Sequence, residues 1–229
     1  MALRRFPEIT YVPDRDIFLE TLCRDKVVLN LGCASALHGE AQIAWGRHLH
    51  TNLVGVAKEI YGVDKSEEAI RTLQGRHQMT NLFVADVEHL DLPIDIEFDI
   101  VVAGELIEHL NNPGMFLTSV SKHMNADTQL VLTTPNMYGL KFFLHSFSNI
   151  QAMDPDHSLG FSFSLLETLL TRHGFSILAW HTSVQRFPSR RNRIANGLFG
   201  FLFRLWPRYA DTLIVVAKRR ADSVNHRPE

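Results

Sequence analysis

Five short apolar runs recur along the chain, and each is followed at once by a small or polar residue. The runs are 26–31, 59–63, 81–85, 98–103 and 129–134, and the residues that follow them are Gly32, Asp64, Asp86, Gly104 and Pro135. Near-continuous apolar runs are typical of strands buried on both faces of a parallel sheet. Ligands of such sheets bind at the carboxyl ends of the strands. The pattern therefore predicts a parallel sheet with a binding site at these five strand ends.

Helical patterns lie between and after these runs. Ser66 is a predicted helix cap with Glu67 and Glu68 behind it, and residues 113–123 carry an apolar stripe. A helix at 164–173, a strand at 175–180 and a last strand at 211–217 are also predicted. This alternation predicts an α/β, doubly wound sheet with helices on both faces. No repeat or Gly/Ser linker divides the sequence, so we expect a single domain over 1–229 with its motifs within 26–180.

Composition narrows the function classes. The 229 residues suit one domain, and the net charge of −2 excludes an overall basic, nucleic-acid-coating protein. The only cysteines, Cys23 and Cys33, fit a reducing compartment. The first residues lack the apolar core of a signal peptide, and no run approaches the ~20 apolar residues of a membrane span. We therefore expect a cytoplasmic protein.

The turn after the first run, Gly32-Cys33-Ala34-Ser35-Ala36, suits the approach of a ligand to the backbone. The dinucleotide motif G-x-G-x-x-G/A would need a small residue where Leu37 stands. The next acidic strand end, Asp64, lies 64 − 32 = 32 residues after Gly32. That spacing is longer than the ~20 residues of the dinucleotide motif. NAD is therefore disfavoured.

Residues 27–36 resemble the first motif of S-adenosylmethionine-dependent methyltransferases of the Rossmann-like class. Residues 61–66, 84–87, 98–110 and 130–136 resemble the next four motifs, in the right order and spacing. The resemblance covers about residues 26–180. It implies a seven-stranded sheet whose last strand is antiparallel, and S-adenosylmethionine as cofactor.

The resemblance also implies roles for single residues. Asp64 would bind both ribose hydroxyls, since a carboxylate offers two acceptor oxygens. Asp86 would bind the adenine amine beside Val87, and the turn at Gly32 and Ala34 would face the methionine part. The small Ala103 and Gly104 would leave room for the sulfonium. The full implied set is Asn30, Gly32, Cys33, Ala34, Asp64, Lys65, Asp86, Val87, Ala103 and Gly104. Asn30 departs from the family's usual Asp or Glu, and Ala34 and Ala36 replace glycines.

Glu105, Glu108 and His109 have the i, i+3, i+4 spacing that places side chains on one face of a helix. Together with His157, the pattern E-x-x-E-H…H resembles the metal site of small-RNA 2′-O-methyltransferases. It also resembles the acidic helix of ubiquinone-biosynthesis O-methyltransferases. The resemblance implies these four residues as catalytic residues and as ligands of Mg, Mn, Fe or Zn. Without a metal, His109 or His157 is the expected general base. The remaining alternative is that Glu105 and Glu108 form an exposed helix face and that His109 packs on the sheet.

Two further stretches are candidates for the acceptor pocket. Residues 138–163 hold six aromatic side chains, which suit either a pocket or the core. Residues 181–209 hold six arginines and no acidic residue, with apolar residues at helical spacing. This basic amphipathic segment is predicted to be a cap or insert before the last strand. Packing on the sheet, a lid, a dimer contact, a phosphate clamp and a peripheral membrane contact through 190–208 all remain open.

The function expected from these features is S-adenosylmethionine-dependent O-methylation. The acceptor would be a hydroxyl on a small molecule, a glycan or a lipid-linked intermediate, and a nucleic-acid partner is not expected. One alternative is metal-dependent 2′-O-methylation of an RNA 3′ end, suggested by the E-x-x-E-H…H pattern and the arginines. Another is a scaffold that binds the cofactor without catalysis, suggested by Asn30 and the two alanines.

Overall fold

The core of the fold is one eight-stranded sheet. The computed structural model describes residues 5–34, 39–147, 154–184 and 200–220. The strands are β1 (Thr10–Tyr11), β2 (Val27–Leu31), β3 (Glu59–Asp64), β4 (Leu82–Val84), β5 (Ile100–Gly104), β6 (Gln129–Pro135), β7 (Phe175–Ser183) and β8 (Thr212–Arg219). Their order across the sheet is β1-β7-β8-β6-β5-β2-β3-β4. The five predicted apolar runs are therefore confirmed as the adjacent strands β6, β5, β2, β3 and β4.

The pairing is mostly parallel. Among the described strands, only β8 is antiparallel to its neighbours, β6 and β7, as expected for the last strand. The prediction of seven strands was wrong by one. The two-residue strand β1 pairs in parallel with the far end of β7, where Thr10 lies opposite His181. So short a strand has no apolar run to mark it, and its pairing depends on an edge that the distant β7 provides.

Both faces of the sheet are buried. Along the central strands, side chains alternate between two apolar clusters. Val28, Ile100 and Val131 lie in one cluster, whereas Leu29 and Leu130 lie in the other. This two-sided burial explains why the strands are continuous apolar runs in the sequence.

The helices cover these two faces. They are α1 (Arg15–Cys23), α2 (Gly39–Ala44), α3 (Leu49–Val54), α4 (Glu67–Arg76), α5 (Pro113–Ser121), α6 (Leu140–Phe147) and α7 (Phe163–Arg172). The predicted cap of α4 is confirmed, because the Ser66 hydroxyl accepts a hydrogen bond from the backbone N–H of Ala69 at 3.2 Å. Asn112 caps α5 in the same way, directly before Pro113. No helix in the described ranges is long and apolar enough to cross a bilayer.

The segment predicted as an insert, 181–209, begins inside the sheet. β7 continues through Ser183, so the first three residues of that segment are strand. Residues 185–199, with four of the six arginines, lie outside the described residues. The chain is described again as a helical stretch over 200–205 and a short 3-10 helix at Pro207–Tyr209.

The side chain of Asn136 fixes where this segment returns to the sheet. Its Nδ2 donates hydrogen bonds to the backbone oxygens of Arg208 and Ala210 at 2.9 and 2.7 Å. Its backbone N–H donates to the backbone oxygen of Asp211 at 2.8 Å. The start of β8 is thereby held against the end of β6.

Candidate functional site

A cavity of about 1030 Å³ opens at the carboxyl ends of the parallel strands. Of the fourteen residues that the sequence marks as candidates, eleven line it: Asn30, Gly32, Cys33, Asp64, Lys65, Asp86, Val87, Gly104, Glu105, His109 and His157. Ala34, Ala103 and Glu108 are buried just behind its wall. The motifs therefore meet at one place, as strand ends of a parallel sheet should.

The first loop is held in place by Asp64. Gly32 adopts a φ of +71°, a left-handed conformation that favours glycine. One Asp64 oxygen accepts a hydrogen bond from the backbone N–H of Ala34 at 2.9 Å, and the other accepts from Ser66 at 3.0 Å. Each oxygen keeps a second lone pair. Asp64 thus joins the first loop to the start of α4 and still has acceptor capacity for a ligand's hydroxyls. Residues 35 and 36 of this loop lie outside the described part of the chain.

Asp86 lies at the next strand end. Its Oδ1 accepts a hydrogen bond from the backbone N–H of Glu88 at 2.9 Å and caps a short 3-10 helix, Val87–His89. The Asp86 side chain is 60% exposed, and Val87 beside it is buried. A carboxylate acceptor next to an apolar side chain suits the amine edge and the face of a purine.

Asn30 and His50 form a buried pair that the sequence did not predict. Asn30 Nδ2 donates to His50 Nδ1 at 3.2 Å, which leaves the ring proton on Nε2. Burial lowers the pKa of His50 to about 4, so the ring is neutral. Asn30 Oδ1 and His50 Nε2 find no hydrogen-bond partner among the described residues. An acceptor and a donor without protein partners at the cavity wall fit a polar ligand group, such as the methionine part of the cofactor.

Glu105 does not share a helix face with Glu108 and His109, so that prediction was wrong. Glu105 has a φ of +50°, and only Ile107–His109 form a short 3-10 helix. The Thr133 hydroxyl donates to Glu105 Oε1 at 2.8 Å, and Arg15 Nη1 lies 3.4 Å from the same oxygen. These two partners fix the position of the Glu105 carboxylate. Arg15 comes from α1, ninety residues earlier, and no signal in the sequence links the two.

Glu108, His109 and His157 come together beside the cavity. One possible ligand atom from each lies within 4.8 Å of those of the other two. The two imidazole rings meet edge to face with centroids 4.6 Å apart, and His157 Nε2 lies 4.0 Å from Glu108 Oε1. Glu105 is not part of this group. The cluster therefore offers three of the four predicted ligands.

The turn that carries His157 is attached to the backbone of Glu108. The carbonyl oxygen of Glu108 accepts hydrogen bonds from the backbone N–H groups of Ser158 and Leu159 at 3.0 and 3.1 Å. His109 Nδ1 donates to the backbone oxygen of Asp156 at 3.1 Å. A carbonyl oxygen only accepts, so the His109 lone pair is left on Nε2. The hydrogen bonds to the Glu108 carbonyl position the turn that carries His157, and the hydrogen bond to the Asp156 carbonyl orients the His109 ring.

Burial determines the charges in this cluster. The Glu108 side chain is 1% exposed, and its carboxyl oxygens have no hydrogen-bond partner among the described residues. Burial, and then the charge of Glu105, raise the pKa of Glu108 to about 8. Burial, and then His109, lower the pKa of His157. At neutral pH the cluster therefore combines a protonated carboxyl with a neutral imidazole.

The far end of the cavity lies beyond β6 and at the start of β8. It is lined by Pro135, Lys141, Phe142, Asp211 and Thr212. Burial raises the pKa of Asp211, and the charge of Lys141 opposes that shift. The six aromatic residues predicted for pocket or core are divided: Phe142 lines the cavity, Phe161 and Phe163 are core, and Tyr138, Phe143 and Phe147 are exposed.

Known proteins resemble this chain in sequence. A family model described as a methyltransferase domain matches residues 9–179. A protein of Mycobacterium tuberculosis described as a probable S-adenosylmethionine-dependent methyltransferase is 28% identical over 114 residues, which are 50% of this chain and 37% of that protein. A Mycolicibacterium smegmatis protein of similar description is 24% identical over 155 residues, 68% of this chain and 54% of its own length. The matched part thus spans little more than a third to a half of these relatives.

Solved structures share the fold. The magnesium protoporphyrin IX methyltransferase of Synechocystis, solved with bound S-adenosylhomocysteine, aligns with a TM-score of 0.56 at 14% identity, over 89% of this chain and 78% of that one. The small RNA methyltransferase HEN1 aligns with a TM-score of 0.59 at 16% identity, over 91% of this chain and 25% of that one. Because the family model covers well over half of the sequence, the chain belongs to the S-adenosylmethionine-dependent methyltransferases with a Rossmann-like fold.

Proposed function

We propose that this chain transfers a methyl group from S-adenosylmethionine to the oxygen of a hydroxyl group. The observation that supports the proposal is the cluster of Glu108, His109 and His157 beside Gly104 and Glu105. An alcohol is a poor nucleophile until its proton is removed, so O-methylation benefits from a base next to the methyl donor. The imidazoles of His109 and His157 at this end of the cavity offer such a base.

His109 is the proposed general base. Its Nδ1 donates to the Asp156 carbonyl, so the Nε2 lone pair is free to take the proton of the acceptor hydroxyl. When bound, S-adenosylmethionine supplies an electrophilic methyl carbon on a sulfonium. The acceptor oxygen forms the new C–O bond as the carbon–sulfur bond breaks, and the electron pair of that bond stays on sulfur. The neutral His157 ring and the protonated Glu108 carboxyl place no net charge beside His109 before it takes the proton of the acceptor hydroxyl.

The cavity walls support a hydroxyl-bearing acceptor. Lys141, Phe142 and Asp211 offer a donor, an aromatic face and an acceptor at the end away from Asp64. Such mixed walls suit a small molecule, a glycan or a lipid-linked intermediate.

The buried free thiols of Cys23 and Cys33 support a reducing compartment, and hence the cytoplasm.

Methyl transfer from labelled S-adenosylmethionine tests the proposal. A panel of phenols, diols, glycans and lipid-linked alcohols is screened in the presence of a chelator, and products are analysed for base-stable methyl ethers. We expect His109→Ala to lower turnover by about a hundredfold or more while S-adenosylhomocysteine still binds. His173→Gln, at the end of α7 away from the cavity, is the matched control and keeps full turnover. Methylation at nitrogen or carbon only, or an unaffected His109→Ala, contradicts the proposal.

A metal-dependent reaction on an RNA 3′ end is the second candidate. The donor set of one carboxylate and two imidazoles fits a divalent ion, and Glu108, His109 and His157 would hold it. A bound ion supplies Lewis acidity, which lowers the pKa of a coordinated hydroxyl. Titration of Mn²⁺ into chelator-stripped protein saturated with S-adenosylhomocysteine, with Glu108→Ala as control, tests the ion. Binding of short RNA with its salt dependence tests the acceptor. Cofactor binding without turnover on any acceptor would favour a non-catalytic scaffold.

A further inference from the structure

Helix α6 (Leu140–Phe147) has an apolar face that the described part of the chain leaves uncovered. None of its residues is buried. Phe143 and Phe147 are 60% and 75% exposed and touch each other edge to face, with ring centroids 5.0 Å apart, and Leu144 between them is also exposed. Contiguous exposed apolar groups of this size mark interaction surfaces on water-soluble proteins. The helix is amphipathic, and its apolar side, which carries Phe143, Leu144 and Phe147, would be more stable against an apolar surface than in water.

A second group of exposed apolar side chains lies on the chain before β8. Phe201 is 62% exposed, and Leu205, Trp206 and Tyr209 are exposed as well. Phe6, Tyr138 and Arg208 connect this group to α6. The Phe6 and Tyr138 rings are 5.7 Å apart, and the Arg208 guanidinium lies 5.3 Å from the Phe6 ring. We name the whole surface the aromatic rim: Phe6, Tyr138, Phe143, Leu144, Phe147, Phe201, Leu205, Trp206 and Tyr209.

On α6 and residues 200–209, which carry most of the aromatic rim, the charges are of one sign, and the exposed Glu8 near Phe6 is the acidic neighbour. Neither α6 nor residues 200–209 contain an acidic residue, whereas they contribute Lys141, Arg204 and Arg208, and His145 in addition. This local excess occurs in a chain of net charge −2. The acidic groups of this end of the molecule, among them Asp154, Asp156 and Asp211, line the cavity instead. The rim thus matches an anionic surface.

The aromatic rim borders the cavity. Lys141 and Phe142 line the cavity wall, and the exposed Phe143 and Leu144 follow them directly on the same helix. At the other side, Asp211 and Thr212 line the wall two and three residues after the exposed Tyr209. Whatever covers the rim therefore lies next to the end of the cavity that Lys141, Phe142, Asp211 and Thr212 line.

We propose that the aromatic rim docks on the surface of a bilayer that contains anionic lipids. The mixture of Phe and Leu with Trp, Tyr and basic side chains is that of helices that lie in the headgroup region. The eight residues of α6 are far too few to span a bilayer, so the helix lies along its surface. Docking places this end of the cavity at the membrane, and on the proposed function above this makes a lipid-linked hydroxyl the acceptor.

Flotation with vesicles tests the docking without any need for turnover. The full chain is mixed with vesicles of phosphatidylcholine alone, or of phosphatidylcholine with roughly one phosphatidylglycerol in three lipids. We expect flotation with the anionic vesicles, little with the neutral ones, and a decrease as salt is raised. No flotation with the anionic vesicles at low salt overturns the proposal.

Two double variants assign the surface. We expect Phe143→Ser/Phe147→Ser to weaken vesicle binding by at least about tenfold, because both rings leave the headgroup region. Ile17→Ser/Val54→Ser, at exposed apolar positions on α1 and α3, is the matched control and keeps wild-type binding. Both proteins are expected to bind S-adenosylhomocysteine as the wild type does, which shows that they are folded. Equal flotation of the two variants overturns the assignment.

Light scattering tests the alternative that a second copy of the chain, and not a membrane, covers the aromatic rim. If the wild type is a dimer that Phe143→Ser/Phe147→Ser converts to a monomer, and neither protein floats, the rim covers a second copy of the chain and the proposal is wrong. Vesicle binding without methyl transfer to any hydroxyl keeps the docking and removes the proposed function, so the two failures are distinguishable.

Discussion

At the scale of single residues, Asp64 has two tasks. Its carboxylate holds the first loop through the Ala34 N–H and the start of α4 through the Ser66 N–H. It also faces the cavity with lone pairs to spare. The resemblance assigns it to ribose binding, and this assignment stays a prediction. If Asp64 has both tasks, a change that disturbs the conformation of the first loop also changes the affinity for the cofactor.

We expect Asp64→Asn to weaken S-adenosylhomocysteine binding by about tenfold to a hundredfold, the cost of a charge-assisted hydrogen bond. Isothermal titration calorimetry measures the affinity. Asp95→Asn, an exposed acid outside the cavity, is the control and leaves the affinity unchanged. Equal affinities of Asp64→Asn and wild type would remove Asp64 from the cofactor site.

Glu108 makes stability depend on pH. Its folded pKa of about 8 lies above the ordinary carboxyl value of 4.5. Between these values the folded chain holds a proton that the unfolded chain has lost, so raising the pH destabilises the fold. The stabilisation is fully present below the ordinary pKa and is lost as the pH passes through the raised one.

Urea unfolding at a series of pH values from 5 to 8 tests this behaviour. For wild type we expect the free energy of unfolding to fall by up to about 1.4 kcal/mol per pH unit from this group. Glu108→Gln removes the titrating group and flattens that slope. Parallel slopes for the two proteins would mean that Glu108 is ionised in the fold.

At the scale of elements, much of the fold was predictable and the details of the site were less so. The strands that form the centre of the sheet are apolar on both faces, and such runs are visible without any alignment. Glu105 was misplaced because i, i+3, i+4 spacing assumes a helix. Its left-handed backbone depends on Thr133 and Arg15, which are distant in sequence. The Asn30–His50 pair was missed for the same reason, since α3 brings His50 to the end of β2.

The contact between β3, β4 and α3 depends on Gly62. A Cβ there would lie 2.5 Å from Leu82 Cδ2 and 2.8 Å from both Cys33 Sγ and His50 Cε1. We expect Gly62→Ala to destabilise the protein by about 1–3 kcal/mol through overpacking. It should also weaken cofactor binding, because Cys33 and His50 line the cavity.

Thermal unfolding measures the stability of Gly62→Ala, and Gly75→Ala is the opposite control in that experiment. Gly75 lies in α4, and a Cβ there would meet nothing within 4 Å. Alanine removes the entropic cost of glycine in a helix, so we expect a gain of about 0.5–1 kcal/mol. Two glycine substitutions with the same sign would contradict this account of the packing around β3.

At the scale of the whole molecule, the alkylation rates of the two thiols show whether different parts of the fold open together. Cys23 and Cys33 are free and buried; Cys23 precedes the β2 strand and Cys33 follows it. Burial raises the pKa of Cys23 to about 12, and burial and then Asp64 raise the pKa of Cys33 further. Alkylation needs a thiolate in contact with solvent, so Cys23 reacts only when the structure opens, whereas Cys33 lies at the cavity wall and is also shielded directly by a bound ligand.

We expect saturating S-adenosylhomocysteine, at about a hundred times its Kd, to slow iodoacetamide labelling of both thiols about a hundredfold. A ligand that binds only the folded chain stabilises it by about 2.7 kcal/mol at that concentration. Mass spectrometry of the peptides follows each cysteine separately. Protection of Cys33 alone would show that the ligand shields the cavity wall without slowing the opening that exposes Cys23.

The hydrogen bonds of Asn136 have an evolutionary consequence. One side chain, together with its own backbone N–H, fixes the path of the chain at Arg208, Ala210 and Asp211. The sheet and the cavity wall therefore receive β8 in the same position whatever sequence precedes residue 208. Selection can lengthen, shorten or recompose the stretch after β7 without disturbing the methyl-donor end. On the proposed function, this single amide allows the stretch beside the acceptor end of the cavity to change in sequence while the cofactor end keeps its structure.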